Sequence, residues 1–164
     1  MPLASFRRRP SPAHLLFVSL ALSAAASCSQ LNAEDLIRPS ISEARILADP
    51  GKPFDPADID LVLVLEAGAN ARDQTASLEY ARLFEGSAWR TNEPAVHLRV
   101  HLPEGSEEPF EAGERRELRL EGYTPNDMLV PYCDHELRLL LTIRTSGLHS
   151  LLGVTEDIEI ECSP

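Results

Sequence analysis

The stretch that most constrains the fold runs from Asp134 to Arg144, where apolar and polar side chains alternate almost residue by residue. A period of two places successive side chains on opposite faces of a β-strand. The apolar side chains of one parity are Leu137, Leu139, Leu141 and Ile143. We therefore expect a long strand here, with this set forming its buried row.

Other stretches of strand length recur along the chain between turn residues. They span Ser40–Leu47, Asp58–Glu66, Ala95–Leu102, Glu117–Glu121 and Val154–Cys162. Asp58–Glu66 is apolar on both faces, which predicts a central strand covered on both sides. Thr75–Glu85 fits either a strand or a helix capped by Asp73 and Gly86. We favour the strand because the neighbouring segments all have strand patterns.

About seven short strands separated by turn residues are typical of a two-sheet antiparallel sandwich. Their spacing and length, from Pro39 to Cys162, resemble those of immunoglobulin-like and fibronectin-type domains. The expected fold class is therefore all-β, an antiparallel two-sheet Ig-like sandwich preceded by a signal peptide and a short tether. Trp89 precedes both downstream cysteines, whereas antibody domains place the tryptophan between them, so the resemblance extends to no named Ig family.

The N-terminal segment His14–Cys28 has the layout of an export signal. Arg7–Arg9 precede it, and its short apolar run ends in small residues. The run is shorter than the ~20 residues that cross a bilayer, so we expect the segment to be cleaved. Ala24–Ala26 fits an ordinary signal peptidase site, and cleavage there releases a soluble, secreted chain that starts near Ser27.

Ala25-Ala26-Ser27-Cys28 resembles the lipobox of bacterial lipoproteins, although that motif usually has leucine in place of Ala25. The resemblance implies that Cys28 receives a diacylglycerol and becomes the first mature residue. Residues 1–27 are then a signal peptide, 28–39 a lipidated N-terminus and flexible tether, and 40–164 the β-sandwich domain. We accordingly expect an exported protein whose lipid anchors it in the cell membrane or the outer membrane.

The chain has three cysteines, Cys28, Cys133 and Cys162. Cys133 opens one predicted strand and Cys162 ends the next, so a hairpin of those strands brings the two sulfurs together. A bridge there stabilises the fold by roughly 3 kcal/mol because it constrains the unfolded chain. If Cys28 is lipidated, no stray thiol is left in an oxidising compartment. The alternative is that Cys133 and Cys162 are two buried thiols.

The charge of the chain bears on its partners. Cleavage removes Arg7–Arg9 and no acidic residue, so 15 basic residues become 12 against 26 acidic ones, a formal charge of −14. A surface of this sign repels phosphate backbones, and we expect no nucleic-acid partner. The sequence has no glycine-rich phosphate loop, and we expect no cofactor.

Two groups of side chains have the donor types of a metal site. His97 and His101 form an HxxxH pattern, but on a strand they lie roughly 13 Å apart, too far for one zinc ion. The aspartates around the Pro-rich turn are Asp49, Asp55, Asp58 and Asp60. Asp55, Asp58 and Asp60 are the calcium candidates, although this turn lacks the glycine and glutamate of an EF-hand loop.

Residue types of catalytic sets occur without the supporting motifs. Cys133 and His135 share a strand face but lie ~7 Å apart, beyond hydrogen-bond reach. Ser146, His149 and Asp157 supply the types of a hydrolase triad with no GxSxG elbow. We therefore expect no catalytic residues and a protein that is not an enzyme.

These observations favour a non-catalytic envelope lipoprotein that binds or structurally supports an envelope protein or a glycan. The alternative is a small secreted hydrolase or calcium-dependent enzyme with its site on loops Pro103–Pro109 and Ser146–Gly153. A third hypothesis is an anchored accessory subunit whose partner meets an apolar patch or a bare strand edge. The aromatic candidates for a sugar or peptide site are Tyr80, Trp89, Tyr123 and Tyr132.

Overall fold

The computed structural model describes residues 33–86, 88, 93–147 and 151–163, and this part of the chain is mostly β. Its strands are β1 (Ile37–Ala48), β2 (Asp58–Ala67), β3 (Ala76–Glu85), β4 (Val96–Leu98), β5 (Val100–His101), β6 (Arg115–Arg119), β7 (Glu121–Gly122), β8 (Glu136–Thr145) and β9 (Leu151–Cys162). Short 3-10 turns accompany them, among them Ala33–Asp35, Asn126–Met128 and Val130–Tyr132. No helix within these described ranges has the length and hydropathy needed to cross a membrane.

Seven strands form one curled sheet in the order β4-β3-β8-β9-β1-β2-β6, and β5 pairs with β7 in a second, small sheet. Most neighbours are antiparallel, but β1 and β9 run parallel, with Ile46 beside Ile160 and Ala48 beside Cys162. The seven-stranded sheet is therefore mixed, which corrects the expectation of wholly antiparallel pairing. The physical reason is that the first and last strands of the chain meet side by side, with no hairpin to set their direction.

The sheet curls because β9 changes partner along its length. From Leu151 to Glu159 it pairs with β8, and its last three residues pair with β1. A bulge between Ile41 and Glu43 in β1 adds a further bend, because an extra residue increases the local twist. The curl lets the two halves of the sheet share one core. The largest fully buried side chains include Ile37, Ile46, Leu61, Leu63, Leu65, Leu83, Phe110, Leu129, Leu137, Leu139 and Leu141.

The alternating stretches form strands close to the expected bounds. The expected row Leu137, Leu139, Leu141 and Ile143 is at most 2% exposed, and Thr75–Glu85 is a strand, β3. β2 is buried on both faces at its middle, as expected of a central strand. Val62 and Val64 occupy its second face, where Arg119 and Glu117 of β6 lie beside them in the register. Long charged side chains cover apolar surface with their alkyl stems, which accounts for this burial at an outer face.

Several boundaries differ from expectation. The predicted strand Glu117–Glu121 is divided between β6 and β7, and β9 begins at Leu151, inside the loop expected at Ser146–Gly153. β1 begins at Ile37, within the range expected to be tether, because Ile37 is 2% exposed and packs in the core. Ala95–Leu102 is divided between β4 and β5 rather than being one strand. The break lies at Arg99, whose amide donates to the Thr124 hydroxyl and whose carbonyl accepts from the Tyr123 amide. These contacts draw the chain away from β3 and into the small sheet with β7.

Candidate functional site

The strands end in two clusters of loops, which we name by one residue each. The Ile37 end comprises the start of β1, the end of β2 and the start of β6, which the register places together. The Phe54 end comprises the end of β1, the start of β2 and the end of β9. β1 connects the two ends, and its twelve residues span about 36 Å.

The predicted disulfide between Cys133 and Cys162 is present and lies at the Phe54 end. The Cα atoms of the two residues are 5.5 Å apart. The neighbouring backbone holds the same approach, because the Asp134 amide donates to the Ile160 carbonyl and the Ser163 amide donates to the Ala48 carbonyl. The bridge therefore ties the end of β9 to the segment that leads into β8, next to the end of β1.

Asp49–Pro56 lies in the loop that joins β1 to β2. Asn126, which is 1% exposed, forms hydrogen bonds to this loop. The Asn126 side-chain oxygen accepts from the Asp49 amide at 2.8 Å, and its nitrogen donates to the carbonyls of Lys52 at 2.9 Å and Asp55 at 3.1 Å. The Asn126 amide donates to the Asp55 carbonyl as well. One buried side chain thus fixes both ends and the middle of the loop.

A cleft of about 350 Å³ lies beside this loop. Its charged lining consists of Asp49, Lys52, Asp55 and Asp58. The Gly51 amide donates to the Asp49 carboxylate, and this bond, together with Lys52 at 3.5 Å, holds the pKa of Asp49 below its usual 3.8. Three carboxylates against one ammonium leave the cleft with a net negative charge.

The Ile37 end carries a cleft of about 400 Å³, lined in part by Glu34, Arg38, Glu66 and Arg115. Here the charges are balanced, because Glu66 lies between Arg38 at 3.4 Å and Arg115 at 3.5 Å. The backbone at this end is closely packed. The Gly68 amide donates to the Leu36 carbonyl, and a methyl group at Gly68 would lie 2.3 Å from the Glu34 carbonyl oxygen.

Arg116 organises the loop Pro103–Pro109, which was expected to carry the site of the alternative enzyme. Its guanidinium donates to the carbonyls of Ser106, Glu108 and Pro109 and to both carboxylate oxygens of Glu114. It also lies over the Phe110 ring, 3.9 Å from the centroid. Arg116 thus fills its donor positions with contacts inside the domain, and in this loop it acts as a structural residue.

The structure divides the calcium candidates between a loop and strand β2. Asp60 pairs with Arg119 at 3.2 Å, while Asp55 and Asp58 are exposed beside the cleft at the Phe54 end. No group of three or more His, Cys, Asp or Glu side chains within the described ranges is arranged to hold a metal ion. His97 and His101 lie on strands of different sheets and are both exposed.

The structure also separates the catalytic candidates that it describes. Ser146 follows β8 at the Ile37 end, whereas Asp157 pairs with Arg138 at 2.7 Å toward the Phe54 end. Leu151 pairs with Arg144, two residues before Ser146, and it lies about 20 Å from Asp157 along β9. His149 lies outside the described residues, as do Trp89 and Cys28. Cys133 is bridged and has no thiol to pair with His135.

Sequence reasoning missed three residues that the structure makes prominent: Phe54, Arg116 and Asn126. The proline density of the Asp49–Pro56 loop was the available signal for a rigid turn, and Asn126 lies in a second turn of that type. Nothing in the sequence indicated that the two turns meet. Comparisons of the sequence with known protein families and with curated proteins find no match.

Proposed function

We propose that this chain is a non-catalytic envelope lipoprotein, exported by the signal at residues 1–27 and anchored through lipid on Cys28. Its β domain is the part that binds a protein or another envelope component. The observation that carries the proposal is the Cys133–Cys162 bridge. It supports an oxidising compartment, because structural disulfides persist outside the cytosol.

The bridge also bears on the third cysteine. With Cys133 and Cys162 paired, Cys28 is the odd residue of the three. An unpaired thiol in an oxidising space invites unwanted disulfides, whereas a thioether to lipid removes that thiol. The sequence around it, Ala25-Ala26-Ser27-Cys28, is the one that resembles a lipobox. The structure and the motif thus favour the same modification.

We further infer that the curled sheet is an Ig-like sandwich. The strand order supports this assignment, because β2 lies between β1 and β6 while β8 lies between β3 and β9. These triplets match the A-B-E and C-F-G groupings of the immunoglobulin fold. An experimental structure in which the two triplets do not face each other at about 10 Å would contradict the assignment.

The proposed anchor sets an upper limit on the distance between the bilayer and the start of β1. β1 begins at Ile37, so the segment from Cys28 spans at most about 30 Å when extended. β1 separates the Phe54 end from the Ile37 end by about 36 Å. We propose that the loops of the Phe54 end meet other components of the envelope.

Substitution of Cys28 tests the proposal. In the exporting host, Cys28→Ser should move the protein from the membrane fraction to the soluble fraction and abolish labelling by an alkyne-bearing fatty acid. Ser29→Ala is the matched control, since it changes the next residue and keeps the sulfur. A Cys28→Ser protein that stays with the membrane as the parent does contradicts the anchor. Intact mass of the mature protein then gives the true cleavage site.

A further inference from the structure

Phe54 is a large apolar side chain that the fold leaves in water. It is 77% exposed at the tip of the Asp49–Pro56 loop. Tyr123, 47% exposed, lies next to it and donates its hydroxyl hydrogen to the Phe54 carbonyl. Pro50 and Pro56 are exposed on the same loop. The result is an aromatic and proline surface at the Phe54 end, where burying Phe54 against a partner removes much apolar area from water.

The loop that carries this surface is rigid in the unbound protein. The three Asn126 side-chain bonds fix the loop, and the Asp127 amide donates to the Pro53 carbonyl at 2.9 Å. Three prolines, Pro50, Pro53 and Pro56, limit its backbone further. A rigid loop loses little conformational entropy on binding, so its exposed aromatic side chain meets the physical requirements of a binding hot spot.

The charge beside Phe54 selects the partner. Asp49, Asp55 and Asp58 line the adjacent cleft, and Lys52, the cation among them, is paired with Asp49. A cationic side chain gains from these carboxylates and from the faces of Phe54 and Tyr123. A second copy of this chain is disfavoured, because a two-fold contact through this patch would oppose like charges.

We infer that the Phe54 end docks a segment of a partner protein that carries lysine or arginine next to aromatic or apolar residues. Phe54 and Tyr123 contact the apolar part of the segment, and the carboxylates of the cleft pair with its cations. The inference rests on the proposed function for its location, since that function puts the domain in the cell envelope. The recognition chemistry itself does not depend on the anchor.

The test is an amide NMR titration of the ¹⁵N-labelled protein, purified as exported in a non-ionic detergent. The probes are three synthetic pentapeptides, which alternate lysine with phenylalanine, lysine with serine, and glutamate with phenylalanine. We expect the first to shift the amides of the Asp49–Pro56 loop and Tyr123. The lysine–serine peptide should bind at least fivefold more weakly, and the glutamate peptide at least tenfold more weakly.

Phe54→Ser should weaken binding of the lysine–phenylalanine peptide at least fivefold, and Phe54→Tyr should largely restore it. Leu151→Ser is the matched control, because Leu151 is also an exposed apolar residue, 52% exposed, but starts β9 at the opposite end. It should leave the affinity unchanged. Asp55→Asn combined with Asp58→Asn should lower the affinity several-fold and reduce its dependence on salt.

Several results overturn the inference: no loop shifts at millimolar peptide, equal binding of the lysine and glutamate peptides, or an unchanged affinity in Phe54→Ser. A tetramer of N-acetylglucosamine that shifts the loop at lower concentration than the lysine–phenylalanine peptide would replace the peptide partner by a glycan. The lipidation hypothesis is tested separately, by the fractionation of Cys28→Ser. That substitution should leave the NMR titration unchanged.

Discussion

The two ends of the sheet are built from the same strands but are held and charged in different ways. At the Ile37 end, Arg38 and Arg115 neutralise Glu66, and close backbone contacts around Gly68 hold the loops. At the Phe54 end, a disulfide and Asn126 hold the loops, the carboxylates that line the cleft outnumber its one ammonium group, and an aromatic side chain is exposed to water. The strands give both ends a rigid frame, and the loops decide what each end can bind.

The largest difference between the ends should appear on removal of the bridge. We expect Cys133→Ser with Cys162→Ser to lower the free energy of unfolding by about 3 kcal/mol, because the bridge closes a loop across 29 positions. Urea unfolding measures the loss. The parent in reducing agent is the control and should match the variant. Equal midpoints for variant and oxidised parent would show that the bridge does not hold this end.

Asn126→Ala should lower the free energy of unfolding by about 2 to 3 kcal/mol. The Asp49 amide loses its acceptor, and the carbonyls of Lys52 and Asp55 each lose a donor. Amide hydrogen exchange at Asp49 should accelerate more than exchange in β8. Asn70→Ala is the matched control at the Ile37 end, where the exposed Asn70 side chain makes one bond, to Asp35. We expect it to cost less than about 0.5 kcal/mol. If the two variants lost similar free energies of unfolding, Asn126 would not be the residue that holds the loop.

Gly68→Ala tests the packing of the Ile37 end. The new methyl group would lie 2.3 Å from the Glu34 carbonyl oxygen. The backbone must shift to relieve this clash, and we expect the free energy of unfolding to fall by about 1 to 3 kcal/mol. Gly51→Ala at the Phe54 end meets only the flexible Asp49 side chain, at 3.1 Å, and should be nearly neutral. Thermal unfolding of the two variants makes the comparison. If Gly51→Ala is the more damaging, the assignment of close packing to the Ile37 end is wrong.

The smallest effect concerns pH. Hydrogen bonds from Arg116 and from the Glu111 amide hold the pKa of Glu114 below its usual 4.5. The Glu114 carboxyl therefore loses its proton more readily in the folded protein than in the unfolded chain. Its contribution to the free energy of unfolding is complete above pH 4.5 and is lost as the pH falls through the lowered pKa of the folded state. Glu114→Gln should flatten the decline of the urea midpoint below pH 4.5. An identical decline in parent and variant would show that Glu114 is not linked to acid unfolding.

Strand positions could be predicted from the sequence because burial on one face leaves a period of two, and the Leu137–Ile143 row is the clearest case. The pairing of β1 with β9 could not, since Ile46 and Ile160 are distant in the chain and share no turn that sets direction. The break at Arg99 depends on Thr124 and Tyr123, which lie in another turn.

The candidate surface was still less accessible to sequence reasoning. Phenylalanine is among the residue types that are most often buried, so the exposure of Phe54 could not be expected from its type. The positions of the calcium candidates were equally inaccessible. Asp60 belongs to a strand and pairs with Arg119, while Asp55 belongs to the loop, so neighbours in sequence diverge in space.

The parallel pairing of the first and last strands has a mechanical consequence. β1 begins at the Ile37 end and β9 finishes at the Phe54 end, where Cys162 lies beside Ala48. A pulling force applied between the start of β1 and the end of β9 therefore acts along both strands. It loads the Ile46–Ile160, Leu47–Glu161 and Ala48–Cys162 pairs in shear, all together, rather than peeling them apart one after another.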